Sequence, residues 1–129
     1  MDELYTETIL DHFQHPRHTG TLSRPSARVT EHNPLCGDTI TLDVAWDAAG
    51  VVSDLAFTGQ GCAISQAAMS LLSETVLGKN AEQIEEVSFS EVENLLGVRL
   101  SPARVTCALL GLAALKKVAI LHRMRLCKK

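Results

Sequence analysis

An alternating run of apolar and polar residues constrains the fold of this chain more than any other feature. Apolar side chains occupy every second position of one short stretch: Ile40, Leu42, Val44 and Trp46. This period of two is typical of a β-strand with one buried face. Residues 47–50 form a short loop that ends in glycine, and a second apolar segment follows over residues 51–58. The sequence therefore predicts an antiparallel hairpin.

A short strand over residues 28–32 is predicted to precede the hairpin, and helices are predicted on both sides of the strands. Periodicity, capping residues and helix-breaking residues define the helical segments: residues 2–14, 63–77, 80–97 (one or two short helices) and 102–124. The first segment has Ile9 and Phe13 near helical spacing, which indicates an apolar face that packs on the body. Strands followed by helices indicate an α+β fold, and the length of 129 residues indicates one domain over residues 1–129.

The composition argues against several classes of protein. A net charge of -3 is too weak to indicate binding to nucleic acid or to an anionic membrane. Lys116 and Lys117 interrupt the most apolar segment, residues 105–121, which favours a buried or partner-facing helix over a membrane span. The length of that helix leaves room for contact with a second copy of the chain. No charged and apolar leader is recognisable, so we expect a cytoplasmic protein.

The stretch from residue 33 to residue 38 reads Asn-Pro-Leu-Cys-Gly-Asp and predicts a tight turn, because proline and glycine bend the backbone. It places the thiol of Cys36 and the carboxylate of Asp38 close together on a constrained loop. A soft sulfur beside a hard oxygen supplies half of a metal site. Four cysteines in a chain without an export signal also favour metal or thiol chemistry over disulfides.

Two further cysteines stand at predicted element boundaries. Cys62 opens a helix directly after a strand, where the helix dipole favours a thiolate. Cys107 lies in the second turn of the last helix, and Arg104, one turn earlier, is a candidate cation beside its sulfur. Element boundaries can cluster in a small domain. We therefore expect both cysteines to converge with Cys36 and Asp38 on one exposed edge.

Three thiolates and one carboxylate make a tetrahedral set of metal ligands. Such a set suits zinc, and it also suits an iron-sulfur cluster that must later leave, since oxygen is a harder donor than a fourth sulfur. Two rival functions are a zinc-stabilised binding module and a cysteine-histidine hydrolase. The hydrolase requires a histidine within hydrogen-bond reach of Cys36 or Cys62.

The remaining candidates are histidines and one terminal thiol. His12, His15 and His18 are predicted to lie on the surface, because Pro16 interrupts the helix between them. His32 precedes the Asn33 to Asp38 turn and is a weak candidate ligand. Cys127 follows a basic segment and is predicted to be a free surface thiol.

Three cysteine motifs carry a resemblance to a known family over nearly the whole chain. They read Asn-Pro-Leu-Cys-Gly-Asp at 33–38, Gly-Gln-Gly-Cys-Ala-Ile-Ser at 59–65 and Pro-Ala-Arg-Val-Thr-Cys at 102–107. Together with Asp11-His12, Pro16-Arg17 and Gly20, these motifs resemble those of the U-type iron-sulfur assembly proteins. That family comprises IscU, SufU and the N-terminal domain of NifU.

The resemblance implies a three-stranded antiparallel sheet with flanking helices. It implies that Cys36, Cys62 and Cys107 accept persulfide sulfur or bind the cluster, and that Asp38 assists as a ligand or in cluster release. The implied cofactor is an iron-sulfur cluster, with the two-iron, two-sulfide form expected, or Zn²⁺. The implied partners are a pyridoxal-phosphate cysteine desulfurase as sulfur donor and apo iron-sulfur proteins as clients. Such a protein is a scaffold or a sulfur acceptor rather than a conventional turnover enzyme.

The subtype within the family stays open. IscU members carry a histidine directly before the third cysteine, where this chain has Thr106. The Pro-Ala-Arg sequence before Cys107 is more similar to SufU, but SufU members have an extra segment between the second and third cysteines. The stretch between Cys62 and Cys107 leaves little room for it. Both a cluster scaffold of the IscU kind and a zinc-dependent sulfurtransferase of the SufU kind therefore remain possible from the sequence.

Overall fold

The structure, a computed structural model, describes residues 6–34 and 37–127. Within these residues, helices and strands follow in the order α1 (Glu7–Gln14), β1 (Ala27–Asn33), β2 (Asp38–Trp46), β3 (Val52–Gln60), α2 (Ala63–Val76), α3 (Ala81–Glu85), α4 (Phe89–Leu96) and α5 (Pro102–Cys127). The expected α+β class is confirmed. The segment over residues 80–97 contains two short helices, and the last helix continues three residues beyond the predicted end.

The three strands form one antiparallel sheet in the order β1-β2-β3. β2 is the central strand, and its apolar residues Ile40, Leu42 and Val44 are fully buried, as the alternation predicts. The register pairs Asn33 with Asp38 at one end of the β1-β2 hairpin. The sheet therefore places Asp38 at the end of its central strand, beside the turn.

α2 and α5 cover one face of the sheet and supply most of the core. Leu72, Ala108 and Leu115 are fully buried between these layers. Gly111 lets α5 approach α2 closely, since a Cβ at that position would lie 2.9 Å from the sulfur of Met69. By length and composition α5 is able to span a membrane over Arg104–Arg125, but half of its most apolar window is buried inside the protein. Its buried side packs against α2, α3 and the sheet.

α1 differs from its predicted orientation. Thr6 caps the helix by accepting a hydrogen bond from the Ile9 N–H, and Ile9 is buried as expected. Phe13, however, is 42% exposed, and His12 is buried in its place. The reason is a polar contact, since the His12 Nδ1 lies 2.7 Å from the Ser70 Oγ of α2. The predicted surface position of His12 is therefore wrong.

The outer edge of β3 is paired over part of its length. The Phe57 N–H donates to the His18 carbonyl and the Phe57 carbonyl accepts from the Gly20 N–H, both at 2.9 Å. At the other end of the strand, the Val52 N–H donates to the carbonyl of Lys79. These contacts cover the edge of β3 at Val52 and at Phe57. β3 then continues through Gly59 and Gln60, which the sequence placed in a break after the strand.

A candidate metal and sulfur-accepting site

Asp38 is held at the start of β2 by the hairpin turn that the sequence predicts. The Gly37 N–H donates to the Asn33 carbonyl at 2.8 Å, and Gly37 has a φ of 74°, which favours glycine. Asp38 is only 2% exposed. Cys36, the thiol predicted to share this turn, lies outside the described residues, so its part in the site stays a prediction.

Cys62 joins β3 to α2 and occupies the N-cap position of that helix. Its own side chain makes no capping hydrogen bond. Instead, the Cys62 N–H donates to the Asp38 Oδ1 at 3.1 Å, and the Cys62 Sγ lies 3.6 Å from the Asp38 Oδ2. A carboxylate at a helix N-terminus is stabilised by the unpaired N–H groups and the helix dipole. Asp38 thus binds both the backbone and the thiol of Cys62.

The glycines before Cys62 are required by this close approach. Gly61 has a φ of 145°, and a Cβ built on it would overlap the carboxylate of Asp38. A Cβ on Gly59 would lie 2.8 Å from the backbone carbonyl of Thr39. The Gly-Gln-Gly-Cys sequence therefore lets the β3-α2 connection pass against the start of β2.

Cys107 completes a group of three potential ligands. It is 3% exposed, on the side of α5 that faces the core. One ligand atom each from Asp38, Cys62 and Cys107 lies within 4.8 Å of the others. Sulfurs bound to a tetrahedral zinc at about 2.3 Å are roughly 3.8 Å apart, so a small closure would bring this group to coordination distance. The donor set, two thiols and one carboxylate, fits zinc or an iron-sulfur cluster.

The site is less open than predicted. Asp38 and Cys107 are buried, and only Cys62 is partly exposed to solvent. The prediction that the ligands lie on an exposed edge is therefore wrong for Asp38 and Cys107. The burial follows from the layer structure, because α5 packs directly on β1 and β2 and brings Cys107 in from the core side.

Arg104 and Thr106 flank Cys107 on α5. Arg104 is half-buried one helical turn before the cysteine, and Thr106 is exposed. The predicted support of the Cys107 sulfur by Arg104 stays a prediction. Thr106 offers no imidazole, so the histidine typical of IscU has no replacement at this position.

Among the residues that the structure describes, no histidine belongs to the ligand group. His32 is exposed, and its Nδ1 lies 3.1 Å from the Thr39 Oγ1. Since His32 and Thr39 alternate along their strands with Asn33 and Asp38, they lie on the opposite face of the sheet from the carboxylate. The site geometry thus offers no histidine as a base for the Cys62 thiol, which argues against the hydrolase.

A buried polar cluster between α1 and α2 is the feature that sequence reasoning missed. Ser70 is fully buried and lies at its centre. Its Oγ contacts the His12 ring and accepts the Arg17 N–H at 2.9 Å, while the His18 Nδ1 lies 2.9 Å from the Ser73 Oγ. Burial first, and Arg17 second, hold the pKa of His12 below its usual value. The sequence signal for this cluster was a pair of serines, Ser70 and Ser73, on an otherwise apolar helix face.

Comparison with known proteins identifies the family. A sequence model of the NifU-like N-terminal domain matches residues 4–128. The chain belongs to this family. It is 34% identical to "Zinc-dependent sulfurtransferase SufU" of Bacillus subtilis, with 91% of this chain and 90% of that protein covered. It is also 34% identical to "Iron-sulfur cluster assembly scaffold protein IscU" of Streptococcus pyogenes, with coverage of 91% and 83%.

A solved structure gives the same fold. A candidate iron-sulfur cluster assembly scaffold protein for the SUF system of Fervidobacterium islandicum is similar, with a TM-score of 0.74 and 28% identity. The similarity covers 88% of this chain and 95% of that one. The three-stranded antiparallel sheet with flanking helices, expected from the family resemblance, is thereby confirmed.

The alignments also bear on the subtype. The alignment with Bacillus subtilis SufU runs over 134 positions, more than the 129 residues of this chain, although it covers 91% of them. SufU therefore contains residues with no counterpart here. The relative from Streptococcus pyogenes, named IscU, also aligns over 134 positions. Both relatives therefore contain residues that this chain lacks, in agreement with the short stretch between Cys62 and Cys107.

Proposed function

We propose that this protein accepts persulfide sulfur from a cysteine desulfurase and assembles an iron-sulfur cluster for transfer to apo-proteins in the cytoplasm. The observation that carries the proposal is the group formed by Asp38, Cys62 and Cys107, whose ligand atoms lie within 4.8 Å of one another. Membership in the NifU-like N-terminal domain family and the names of the SufU and IscU relatives support it. Cys36 is proposed as the remaining ligand.

The partly exposed Cys62 is the described thiol best placed to meet a protein donor. Its sulfur attacks the outer sulfur of the donor persulfide, a new S–S bond forms, and the donor cysteine leaves as a thiolate. Release of the accepted sulfur as sulfide consumes two electrons, which a thiol or a low-potential electron carrier must supply. The cluster is the product of the site rather than its resident cofactor.

Asp38 is the ligand that allows the assembled cluster to leave the site. Its carboxylate bonds to the Cys62 N–H, so it is fixed in place by α2 rather than by a metal. An oxygen donor holds an iron-sulfur cluster less firmly than a fourth thiolate would. Cys107 borders the site from the core side, and Asp38 borders it from the start of β2.

A zinc-dependent sulfurtransferase is the second candidate, favoured by the similarity to SufU and by Thr106 in place of a histidine. The residues fit zinc, because two thiols and a carboxylate are common zinc ligands. Zinc would hold the thiol side chains ready and in their deprotonated form. In this reading the sulfur passes onward without a cluster being built.

Metal and acid-labile sulfide analysis of anaerobically purified protein distinguishes the two candidates. Iron with sulfide supports the scaffold, and zinc without sulfide supports the sulfurtransferase. Transfer of ³⁵S from cysteine through a desulfurase to the protein tests both against a purely structural zinc module. If the wild-type protein acquires no label under conditions where the desulfurase is active, the proposed function is wrong.

A further inference from the structure

Close to Cys62, the outer edge of β3 has a step at Gly59 for which the described part of the chain supplies no backbone partner. The backbone groups of Phe57 point away from β2 and bond to residues 18 and 20. Because strand residues two apart point the same way, the N–H and carbonyl of Gly59 also point outward. Gly59 is exposed, and among the described residues no backbone group pairs with it at this edge. The edge is a short template for another strand.

A groove runs along this unpaired step. It has a volume of about 430 Å³, and its lining includes Phe13 and Pro16 on one side and Phe57 to Gly61 on the other. Phe13, in the last turn of α1, presents to this groove an aromatic ring that is 42% exposed. An extended segment paired with Gly59 would find an apolar pocket for one of its side chains.

The groove leads to Cys62. Gly61 lines it, and Cys62 follows as the half-exposed N-cap of α2. A strand residue rises about 3.3 Å, so a segment paired at Gly59 carries a sulfur to the Cys62 thiol within two or three residues.

From these observations we propose that an extended, sulfur-carrying segment of the donor protein pairs with the outer edge of β3 at Gly59. An apolar side chain of that segment occupies the groove against Phe13. The inference rests on the proposed function and specifies how its partner is recognised. Backbone pairing supplies affinity without regard to sequence, and the groove supplies selectivity.

The occupant is a donor segment rather than a second copy of this chain. A copy paired through the same edge would cover Gly61 and the approach to Cys62, which the proposed function needs open.

Amide hydrogen exchange at single-residue resolution tests the pairing directly. In the free protein we expect the Gly59 amide to exchange rapidly. With the cysteine desulfurase of the same organism added, its exchange slows at least about tenfold. Thr58 is the internal control, since its backbone groups face β2 in both states. If the Gly59 amide stays unprotected in a formed complex, the inference is wrong. If it is already protected in a free protein of dimeric mass, the edge pairs with a second copy, and the inference is also wrong.

A matched pair of substitutions tests the groove. Phe13→Ala removes the exposed ring, while Leu10→Ala removes a side chain on the same helix that is 39% exposed and does not line the groove. We expect Phe13→Ala to raise the concentration for half-maximal sulfur uptake from the desulfurase about tenfold, as loss of an apolar anchor does. The maximal rate of Phe13→Ala should equal that of wild type. Leu10→Ala should match wild type in both quantities.

A small donor separates docking from chemistry. Glutathione persulfide needs no protein contact, so wild type and Phe13→Ala should accept its sulfur at equal rates. Equal slowing with both donors would place Phe13 in the fold of the site and overturn the docking role. If wild type accepts sulfur from neither donor, the proposed function itself fails. If wild type accepts sulfur and Phe13→Ala matches it with the desulfurase, only this inference fails.

Discussion

At the scale of single residues, Asp38 connects two parts of the chain that are distant in sequence. Its carboxylate accepts the Cys62 N–H and contacts the Cys62 thiol, so one side chain both caps α2 and joins the ligand group. Gly61 permits that contact by lacking a Cβ. A substitution at Asp38 or Gly61 should therefore affect both the stability of the fold and the ligand group.

Replacing Asp38 with alanine is expected to act on the two possible cargoes in opposite directions. Loss of an oxygen ligand should weaken zinc binding at least about tenfold. An assembled iron-sulfur cluster should persist longer, because its exchangeable donor is gone. Competition with a zinc chelator and the decay of the visible cluster absorbance measure these effects. Asp54→Ala, an exposed acid on β3, is the control, and unchanged behaviour of Asp38→Ala in both assays would remove Asp38 from the mechanism.

Gly61→Ala should destabilise the protein more than Gly50→Ala. Both glycines have positive φ, at 145° and 81°, but only a Cβ at Gly61 meets another residue, the Asp38 carboxylate. We expect a loss of about 1 kcal/mol in unfolding free energy for Gly50→Ala and at least about 2 kcal/mol for Gly61→Ala. Urea unfolding measures both. Equal losses would mean that the Asp38 contact contributes nothing beyond backbone strain.

At the scale of elements, α1 and α2 are joined by hydrogen bonds around Ser70 in addition to apolar packing. Ser70 contacts His12 from α1 and the backbone of Arg17 after it. Arg17 also pairs with Asp11 at 2.8 Å. These contacts give the Asp11-His12 and Pro16-Arg17 pattern a structural purpose: it fixes α1 and the following segment, including residues 18–20 on the β3 edge.

The buried His12 predicts a loss of stability in mild acid. Burial lowers its pKa from 6.5 in the folded protein, so the unfolded chain binds the proton more readily. The unfolding free energy should therefore fall as pH drops below about 6.5 and level off below the lowered folded pKa. His122 has a lowered pKa for the same main reason and adds to this trend. Glu74, 3.8 Å from the ring, offsets only part of the burial effect.

Thermal unfolding between pH 7.5 and pH 5 checks this dependence. His12→Gln should flatten the pH profile while lowering stability at pH 7.5, since glutamine fills the site without titrating. His15→Gln is the control, because His15 is exposed on the same segment. A profile that is equally steep in His12→Gln and wild type would assign the pH dependence to other groups.

At the scale of the whole molecule, the buried apolar core is large compared with the candidate metal site. Apolar side chains from the sheet, α2 and α5 form one continuous buried cluster, with Ile40, Leu72 and Leu115 fully buried. A chain of 129 residues is long enough to bury such a core without staples. The candidate metal site lies at the margin of this core, between the start of β2, the start of α2 and the second turn of α5.

Removal of bound metal should therefore lower the melting temperature without unfolding the domain. A ligand that binds only the folded state stabilises it by mass action, and its loss returns the protein to the stability of its own core. Far-UV circular dichroism before and after chelation at 25 °C measures the effect. Collapse of the helical signal on chelation would identify a structural zinc module instead.

The sequence by itself determined the type of each element and predicted the chemistry of the site. Alternation determined the burial of Ile40, Leu42 and Val44, because a shift of one residue would turn these apolar side chains to the other face of the sheet. The glycine- and proline-flanked cysteines indicated thiol chemistry, and their motifs indicated the family. Those signals are local, so they can be read from neighbouring residues.

The tertiary structure alone decided which side chains meet. Asp38, Cys62 and Cys107 converge because β2, α2 and α5 pack in one particular arrangement, and no local pattern encodes that arrangement. The same packing buried Cys107, turned His12 rather than Phe13 inward, and left Gly59 exposed at the sheet edge. Each of these outcomes depends on a contact with a distant segment, where the free energy of burying or pairing a group outweighs its local preference.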